Sequence, residues 1–577
     1  VSEYVGWSYI MNAKRAFGWV VVALLIALLG ATAAQAAGWG DSFPIGPETG
    51  FIRSAATAMD AGGKMVVAWT EDVSDPVGDN YTDLYAQRLD AAGAPMGDPL
   101  RLNANTDNRE ELGGLSMDAA GNFVAVWSTY YGLTIDARCF AADGAPRTGE
   151  FAVTGGPARQ SDAAMADDGR FVIAWVEEQN DPGGDNQVYA RRFAADCQPM
   201  DAPFLVNNVN SGDEYDPAVA MDAAGNFIVA WTSQDGIAAR RFTQDGAPRG
   251  GQFRVNQRQR AGVYNVDVAT DAAGNAVFAW TAYVFIPRWG HEDVYVRRFN
   301  ARSVALGGEF LAHDASAGDE ASPRITARAS GEFAITYLGQ GELAGPHVTW
   351  VRFYNAQGRP TGSPWPLSPF GTGGNILPSL TTRGENPYLG VWAAFDTYAY
   401  NTQLYGRLLD GVSGPTSTTF LPTNDAYVSS AAPEAVFNSS RLNVRNAKQD
   451  FNAYLKFNVA GLTGTVQAAR LRLWVVNAAS YGGIVYATAP YYTGTTTLWQ
   501  ETGLTWNNAP LPYNDLGIVA PQSAGRWVEV DVTPAVLAAL ADNGRVSLAI
   551  GNGARDVVAY SSKEGAHAPE LVIFTGE

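Results

Sequence analysis

Cysteine is nearly absent, two in 577 residues. A dense disulfide framework is therefore excluded as the scaffold. Histidine is scarce too. His291, His313, His347 and His567 are the four, and none forms a pair at metal-ligand spacing. Positive charge is short: 39 Lys and Arg stand against 58 Asp and Glu, for a net charge of −19 and a pI near 4.7. Such a chain has little with which to neutralise phosphates, so nucleic acid is excluded as a partner. The same excess suits cation binding or a salty medium. No long apolar run follows Leu29, and helical periodicity nearly vanishes with it; one candidate helix lies near 536–540. A Gly-x-Ser-x-Gly elbow in a strand-to-helix setting is also missing.

What is present begins with a leader. Lys14 and Arg15 precede an apolar run from Phe17 to Leu29, and Ala34-Gln35-Ala36 offers the small-x-small cleavage site. Residues 1–36 are expected to be a leader and signal peptide, with translation starting at Met11. The mature chain is expected to be secreted, extracellular or at the cell surface, without an integral span.

A repeat dominates the chain from there to about residue 411. The string MDAAGNFVAVW ends at Trp127 and MDAAGNFIVAW at Trp231, with relatives ending at Trp69, Trp175 and Trp280 and weaker copies at Tyr337 and Trp392. These aromatics lie about fifty residues apart. Each unit reads as a short apolar strand, an Asp-x-x-Gly turn, a strand ending in Trp, a loop, a third strand and a fourth. Four short strands at this period are the grammar of a propeller blade. The repeated tryptophans are expected to pack between blades. A fourth-strand string recurs as EFAV at 150, PFLV at 203, QFRV at 252 and EFLA at 309. It also occurs as SFPI at 42–45, ahead of any first strand. That orphan predicts a seven-bladed β-propeller over 37–411, closed by its N-terminal strand 42–45. Closure of this kind leaves no exposed edge.

The repeat resembles secreted bacterial proteins with units of about fifty residues, and its turn resembles a relaxed form of the sialidase-type Asp-box. A consistent Ser-x-Asp-x-Gly-x-x-Trp string is missing, so sialidase chemistry is not implied. Among 58 acids nothing singles out a glycosidase pair. Two loops after the Trp strand do stand out, at 70–83 and 176–188. Both carry Asp-Pro and then Gly-Asp-Asn. Oxygen donors crowded on a turn suit Ca2+, which makes Asp75, Asp79 and Asn80, and Asp181, Asp185 and Asn186, candidate ligands. The alternative is a solvated loop built from good turn formers. The matching loop of blade five is aromatic, with Tyr283, Phe285 and Trp289. Cys139 and Cys197 sit at unlike places in the repeat, so disulfide and free thiols both stay open.

Composition changes after Asp410. Residues 412–417 read as a Gly/Ser/Thr/Pro linker and as a hinge crossed by few contacts. Period-two alternation over 418–577 reads as a β-sandwich. Five strings stand in order: NDAYVSSAAPEAVFNSSRLNVRN from Asn424, AYLKFNVAGLTGTVQAARLRLWV from Ala453, WQETGLTWNNAP from Trp499, GRWVEVDVTPAV from Gly525 and YSSKEGAHAPELVI from Tyr560. On these the segment resembles the DNRLRE-type carbohydrate-binding module, a jelly-roll-like domain. The resemblance implies binding to polysaccharide or cell-surface glycan. It makes Trp499, Thr505, Trp506 and Asn507 the candidate sugar contacts, against a core role for Trp506. Glu564 with Ser561 and Ser562 is placed to order the rim or to meet a cation.

The fold class read from the sequence is thus all-β, a seven-bladed propeller followed by a jelly-roll-like sandwich. Its function reads as a secreted polysaccharide- or cell-surface-binding protein. The alternative is a carbohydrate-active enzyme, a hydrolase or lyase, with a catalytic propeller and a targeting module. No catalytic constellation is identifiable from sequence alone.

Overall fold

The Asp-x-x-Gly turn works by satisfying backbone amides. Asp118 Oδ1 accepts from the N–H groups of Ala120 and Asn122 at 2.9 and 2.8 Å, and Gly121 takes the left-handed conformation (φ 94°) that closes the turn. Asp222 and Asp271 do the same in their own blades. Each such turn joins two antiparallel strands in fixed register.

In a computed structural model, residues 42–576 are described apart from 75–79, 106–108, 130–132, 179–184, 209–211, 259–261, 287–288, 314–318, 341–346, 363, 369–374, 397–400, 410–415, 480–481, 520–523, 526 and 552–554. The expected leader at 1–36 lies outside them. Among the described residues, no helix is long and apolar enough to cross a membrane.

Among these residues, seven four-stranded antiparallel sheets make a seven-bladed β-propeller. The first blade is Ile52–Met59, Met65–Ser74, Asn80–Leu89 and Leu100–Arg101. The seventh is Asn375–Thr381, Tyr388–Asp396 and Asn401–Leu409, with Phe43–Thr49 from the other end of the chain as its outer strand. Each blade's first strand contacts the first strands of both neighbours, so these strands ring the axis.

The hydrophobic core is divided between the blades. Trp127 packs with Ala58, Val66 and Leu84 of the preceding blade, and Trp231 with Val172, Ala174 and Val188. Trp69, Trp127, Trp175, Trp231, Trp280 and Trp392 are all enclosed, as the repeat predicts. A third-strand tyrosine stacks on four of them, as with Trp175 and Tyr189 at 6.3 Å.

The two cysteines are bonded, Cys139 to Cys197. Their unlike repeat positions turn out to be complementary. Where other blades place an arginine in the third strand, the next blade's turn brings up a glycine: Arg88 lies against Gly144, Arg192 against Gly246 and Arg298 against Gly358. Cys139 replaces the arginine and Cys197, left-handed at φ 67°, replaces the glycine. The bond closes a loop of separation 58 between blades two and three. Reduction, or Cys139→Ser with Cys197→Ser, is expected to cost roughly 2–4 kcal/mol by freeing that loop in the unfolded chain. Melting curves with and without reductant check this; coincident curves would refute it.

The C-terminal part is a jelly-roll-like sandwich. One sheet runs Thr416–Phe420, Glu570–Gly576, Thr465–Asn477, Val558–Ser561, Arg441–Val444, with Trp527–Asp531 also paired to Thr465–Asn477. The other runs Asn424–Ser429, Phe451–Asn458, Arg545–Gly551, Gly483–Thr488, Pro512–Val519. Leu455, Phe457, Leu471, Leu473, Leu548 and Ile550 fill the space between. The helix Thr533–Asp542 has Pro534 in its first turn and buries Ala535, Val536 and Ala539.

Residues 410–415, most of the expected linker, lie outside the described residues, and Thr416 and Ser417 already pair with Thr575 and Phe574. The expectation of a sparsely crossed hinge needs correction. The described residues form one compact unit. Ala468 and Phe574 of the sandwich join a core with Val351, Trp365, Leu367 and Trp392 of the propeller. Phe574 meets Trp365 edge to face at 5.3 Å, and the Arg470 guanidinium lies 3.7 Å from the Trp350 ring centroid. Apolar residues shared between the domains take the place of a solvated hinge.

Candidate functional site

The first strands carry a β-bulge that the sequence pattern does not advertise. In blades three to six the bulged residue is Gln160, Asp216, Asn265 and Ser322, each left-handed with φ between 46° and 53°. This conformation is costly for a side chain with a Cβ, and such strain gathers at functional sites. The four form a polar arc across neighbouring blades. Gln160 Nε2 donates to Asp216 Oδ1 at 2.8 Å, and the Asn265 N–H donates to Asp216 Oδ2 at 3.1 Å. Asn265 Nδ2 reaches Ser322 Oγ at 3.5 Å. Amide, carboxylate and hydroxyl groups thus line one mouth of the axis.

Just inside the arc lie Asp162, Asp267 and Arg324, at equivalent register positions of blades three, five and six. Asp162 Oδ2 accepts the Val219 N–H and Asp267 Oδ2 the Ile325 N–H, each at 2.8 Å, so each carboxyl ties its blade to the next. Burial pushes Asp162 up to about 7, against the pull of the Val219 amide and with help from Asp267. Asp267 is raised by burial and held back by Arg324. Asp162 is therefore an acid poised near neutrality beside a second carboxyl and a cation.

The strand ends that flank the long loops of blades one, three and five lie at this same end, because a pairing such as Ala158 with Glu177 sets the start of a first strand beside the end of the Trp strand. Of the candidate calcium ligands, Asp75, Asp79 and Asp181 lie outside the described residues, as does the side chain of Asn80. Asp185 Oδ2 accepts the Gly212 N–H at 3.2 Å, and the Asn186 N–H donates to Asp213 at 2.9 Å. In blade five the hairpin continues through Ile286 and Trp289, which face each other in register. Tyr283 is half-buried, and the side chains of Phe285 and Trp289 lie outside the described residues.

Behind these loops is a niche between blades. After the fourth strand an oxygen accepts the third-strand amide nineteen residues earlier: Asn103 for Leu84, Thr154 for Ile135, Asn207 for Val188, Asn256 for Ile237 and Ser368 for Thr349. Blade five has His313 there instead, 3.5 Å from Asp293 and 3.7 Å from Glu320. His291 Nε2 lies 3.5 Å from Asp293 as well. Asp293, His313 and Glu320 could hold a divalent cation, and a second such group, Asp425, Glu501 and Glu564, lies in the sandwich. The sequence signal for the first was the histidine at a position where other blades have Asn, Ser or Thr.

The equivalent niches between blades one and two and between blades three and four hold buried acids without a histidine. Burial raises Glu110 and Glu214 to about 8. A carboxyl raised this way contributes stability that is complete below its unfolded value of 4.5 and is lost as the pH rises through about 8. Glu110→Gln is therefore expected to flatten the fall in melting temperature between pH 5 and pH 9. A variant whose fall matches the wild type would refute the assignment.

In the sandwich, the string from Trp499 is split by its surroundings. Trp499 is 0% exposed; its Nε1 donates to Ser547 Oγ at 3.1 Å, and Lys456 Nζ covers its ring at 4.5 Å. No face of it is open to a sugar. Thr505 is buried, with its N–H donating to Asn508 Oδ1. Trp506 is half-buried against the cluster of Trp499, Tyr454 and Leu504. Asn507 is exposed and donates to Glu434 at 2.5 Å. Sequence reasoning missed a better-placed aromatic. On the edge strand Pro512–Val519, Tyr513 is 62% exposed beside Leu511 at 73%, with Asn514 and Asp515 also open to solvent.

Residues 416–575 match the model of carbohydrate-binding module family 96. The match supports a carbohydrate-binding module and does not single out the DNRLRE type. Among solved structures, a protein of unknown function from Dyadobacter fermentans DSM 18053 is 9% identical over 54% of this chain and 97% of its own, with a TM-score of 0.38. An α-L-arabinanase from Penicillium chrysogenum, complexed with arabinobiose, is 11% identical over 64% and 99%, with a TM-score of 0.37. A polysaccharide lyase, an ulvan lyase, is 9% identical over 72% and 93%, with a TM-score of 0.35. Likeness at these scores carries no weight for function. No curated protein matches the chain.

Proposed function

We propose that this chain is a secreted carbohydrate-active protein whose sandwich holds a polysaccharide and whose propeller acts on it. The observation that carries the reading is the carbohydrate-binding family match over 416–575. The propeller's share is supported by the strained arc Gln160, Asp216, Asn265 and Ser322 above Asp162, Asp267 and Arg324. Sugar hydroxyls are met by such amides, hydroxyls and carboxylates, and a carboxyl near neutrality beside a second one suits general acid–base work. The packed junction around Phe574 and Trp365 supports delivery of a held chain to a fixed place on the propeller.

Within this reading the ligand is an acidic or cell-wall polysaccharide, as the DNRLRE-type strings imply. The leader at 1–36 directs export, and the loops of Asp75, Asp79 and Asn80 and of Asp181, Asp185 and Asn186 take calcium. Glycan binding falls on Trp506, Asn507 and the Tyr513 strip.

The test is a glycan array together with reducing-end and unsaturated-uronate assays on acidic and neutral polysaccharides. Asp162→Asn and Asp216→Ala are expected to lower turnover at least tenfold, with module binding unchanged, if these residues serve acid–base and positioning roles. Binding without any product would favour the second reading, a purely adhesive protein with a propeller platform, which the same family match also supports.

A further inference from the structure

Three of the strings that mark the sandwich sequence meet at a single point. Asp425 stands on the strand Asn424–Ser429. Glu501 follows Trp499 by two residues, and Glu564 lies in the connection between Val558–Ser561 and Glu570–Gly576. A carboxylate oxygen from each lies within 4.8 Å of the other two.

Asp425 is 0% exposed. Its Oδ2 accepts the Lys563 N–H at 2.7 Å, while its Oδ1 has no partner among the described residues. A buried carboxylate oxygen left without a donor is costly. Lys563 pairs with two of the three, its Nζ 2.6 Å from Glu501 and 3.5 Å from Glu564, and Lys456 also acts on Glu501 through its charge. Two ammoniums do not balance three carboxylates, and neither is paired with Asp425 Oδ1. The Glu564 side chain is partly open to solvent and accepts from Ser562 Oγ at 2.9 Å, which gives an ion an entry path.

We propose that Asp425, Glu501 and Glu564 bind a hard divalent cation of the calcium type. All three donors are oxygens, with neither imidazole nor thiolate, which disfavours zinc and copper. Carboxylates able to bind through one or two oxygens, with an open side for water, suit the larger calcium ion better than magnesium. The ion supplies the partner that Asp425 Oδ1 lacks. It also adds a tie to the segment from Trp499 to Asn508, beside Asn424 Nδ2 to Gln500 at 3.0 Å, the Asp425 N–H to Glu501 at 3.4 Å, and the bonds of Trp499 to Ser547 and of Asn507 to Glu434.

The experiment uses the full mature chain, stripped with EGTA and titrated with CaCl2, MgCl2 and ZnCl2. Bound metal per chain is counted by mass spectrometry, and proteolysis within 499–510 is followed in parallel. Calcium is expected to protect 499–510 in the wild type. Glu564→Gln, a surface change that should fold, is expected to lose one calcium per chain, or to bind it about tenfold or more weakly, and to lose that protection. Glu501→Gln should behave alike. Counting per chain separates this site from any calcium held in the propeller loops, which neither variant touches. Unchanged stoichiometry and protection in both variants, or retention of zinc in preference to calcium at this site, would overturn the assignment.

Discussion

Deletion of residues 39–47 is expected to make the protein aggregate or to lower its melting temperature sharply. The deleted segment supplies most of the outer strand of blade seven: Phe43 pairs with Gly406, Pro44 with Tyr405 and Ile45 with Leu404. Ile45 is 1% exposed and belongs to a core shared by blades seven and one, with Met65, Trp69, Val391 and Leu404. A Cβ on Gly406 would clash with Phe43 at 2.8 Å, and one on left-handed Gly46 would press on the Trp69 ring at 3.0 Å, so the chain fits closely on both sides. Loss of Phe43 and Ile45 alone removes burial of about 5 kcal/mol or more. It also bares the strand Asn401–Leu409 as an unpaired edge, ready to pair with another molecule. Size-exclusion chromatography and a melting curve are the readouts. An unchanged curve would mean that the blades form an open array.

Ring closure was legible because SFPI at 42–45 repeats a string with a known place in the blade. The disulfide needed one more step. Cys139 and Cys197 differ in repeat position, yet a third-strand residue of one blade faces the turn of the next, as Arg88 with Gly144 shows. Alignment compares like with like and cannot report a contact between unlike positions. The polar arc was illegible for another reason. Gln160, Asp216, Asn265 and Ser322 differ in type and share only a backbone conformation. The cation group in the sandwich lies inside the module's distinctive strings, but Asp425, Glu501 and Glu564 are far apart in sequence and only the folded sheet brings them together. The expected hinge fails because composition at 412–417 says nothing of Ala468 and Phe574, which make the junction from within the sandwich.

Replacement of Trp499 and of Tyr513 by alanine should separate fold from recognition in the module. Trp499 is enclosed by Ala426, Val428, Tyr454, Leu504 and Ala549, and its backbone carbonyl accepts from Lys456 Nζ. Trp499→Ala empties a large volume in a packed core, takes the indole donor from Ser547 Oγ, which keeps Thr488, and takes the ring from beside the Lys456 ammonium. The cost is expected to be about 3–5 kcal/mol, with glycan binding lost only as the module unfolds. Tyr513 packs against little and lies on an edge strand paired on one side only, to Gly483–Thr488. Tyr513→Ala should leave stability within about 0.5 kcal/mol of the wild type, while weakening polysaccharide binding at least tenfold if the ring is the stacking platform. Trp506, half in the core and half out, should show both effects in reduced measure. Each variant therefore needs a melting curve and a binding isotherm from one preparation. If Tyr513→Ala binds as tightly as the wild type while Trp506→Ala keeps its fold and loses affinity, the platform is Trp506, and the glycan runs along the loop of Thr505 and Asn507 instead of the edge strand.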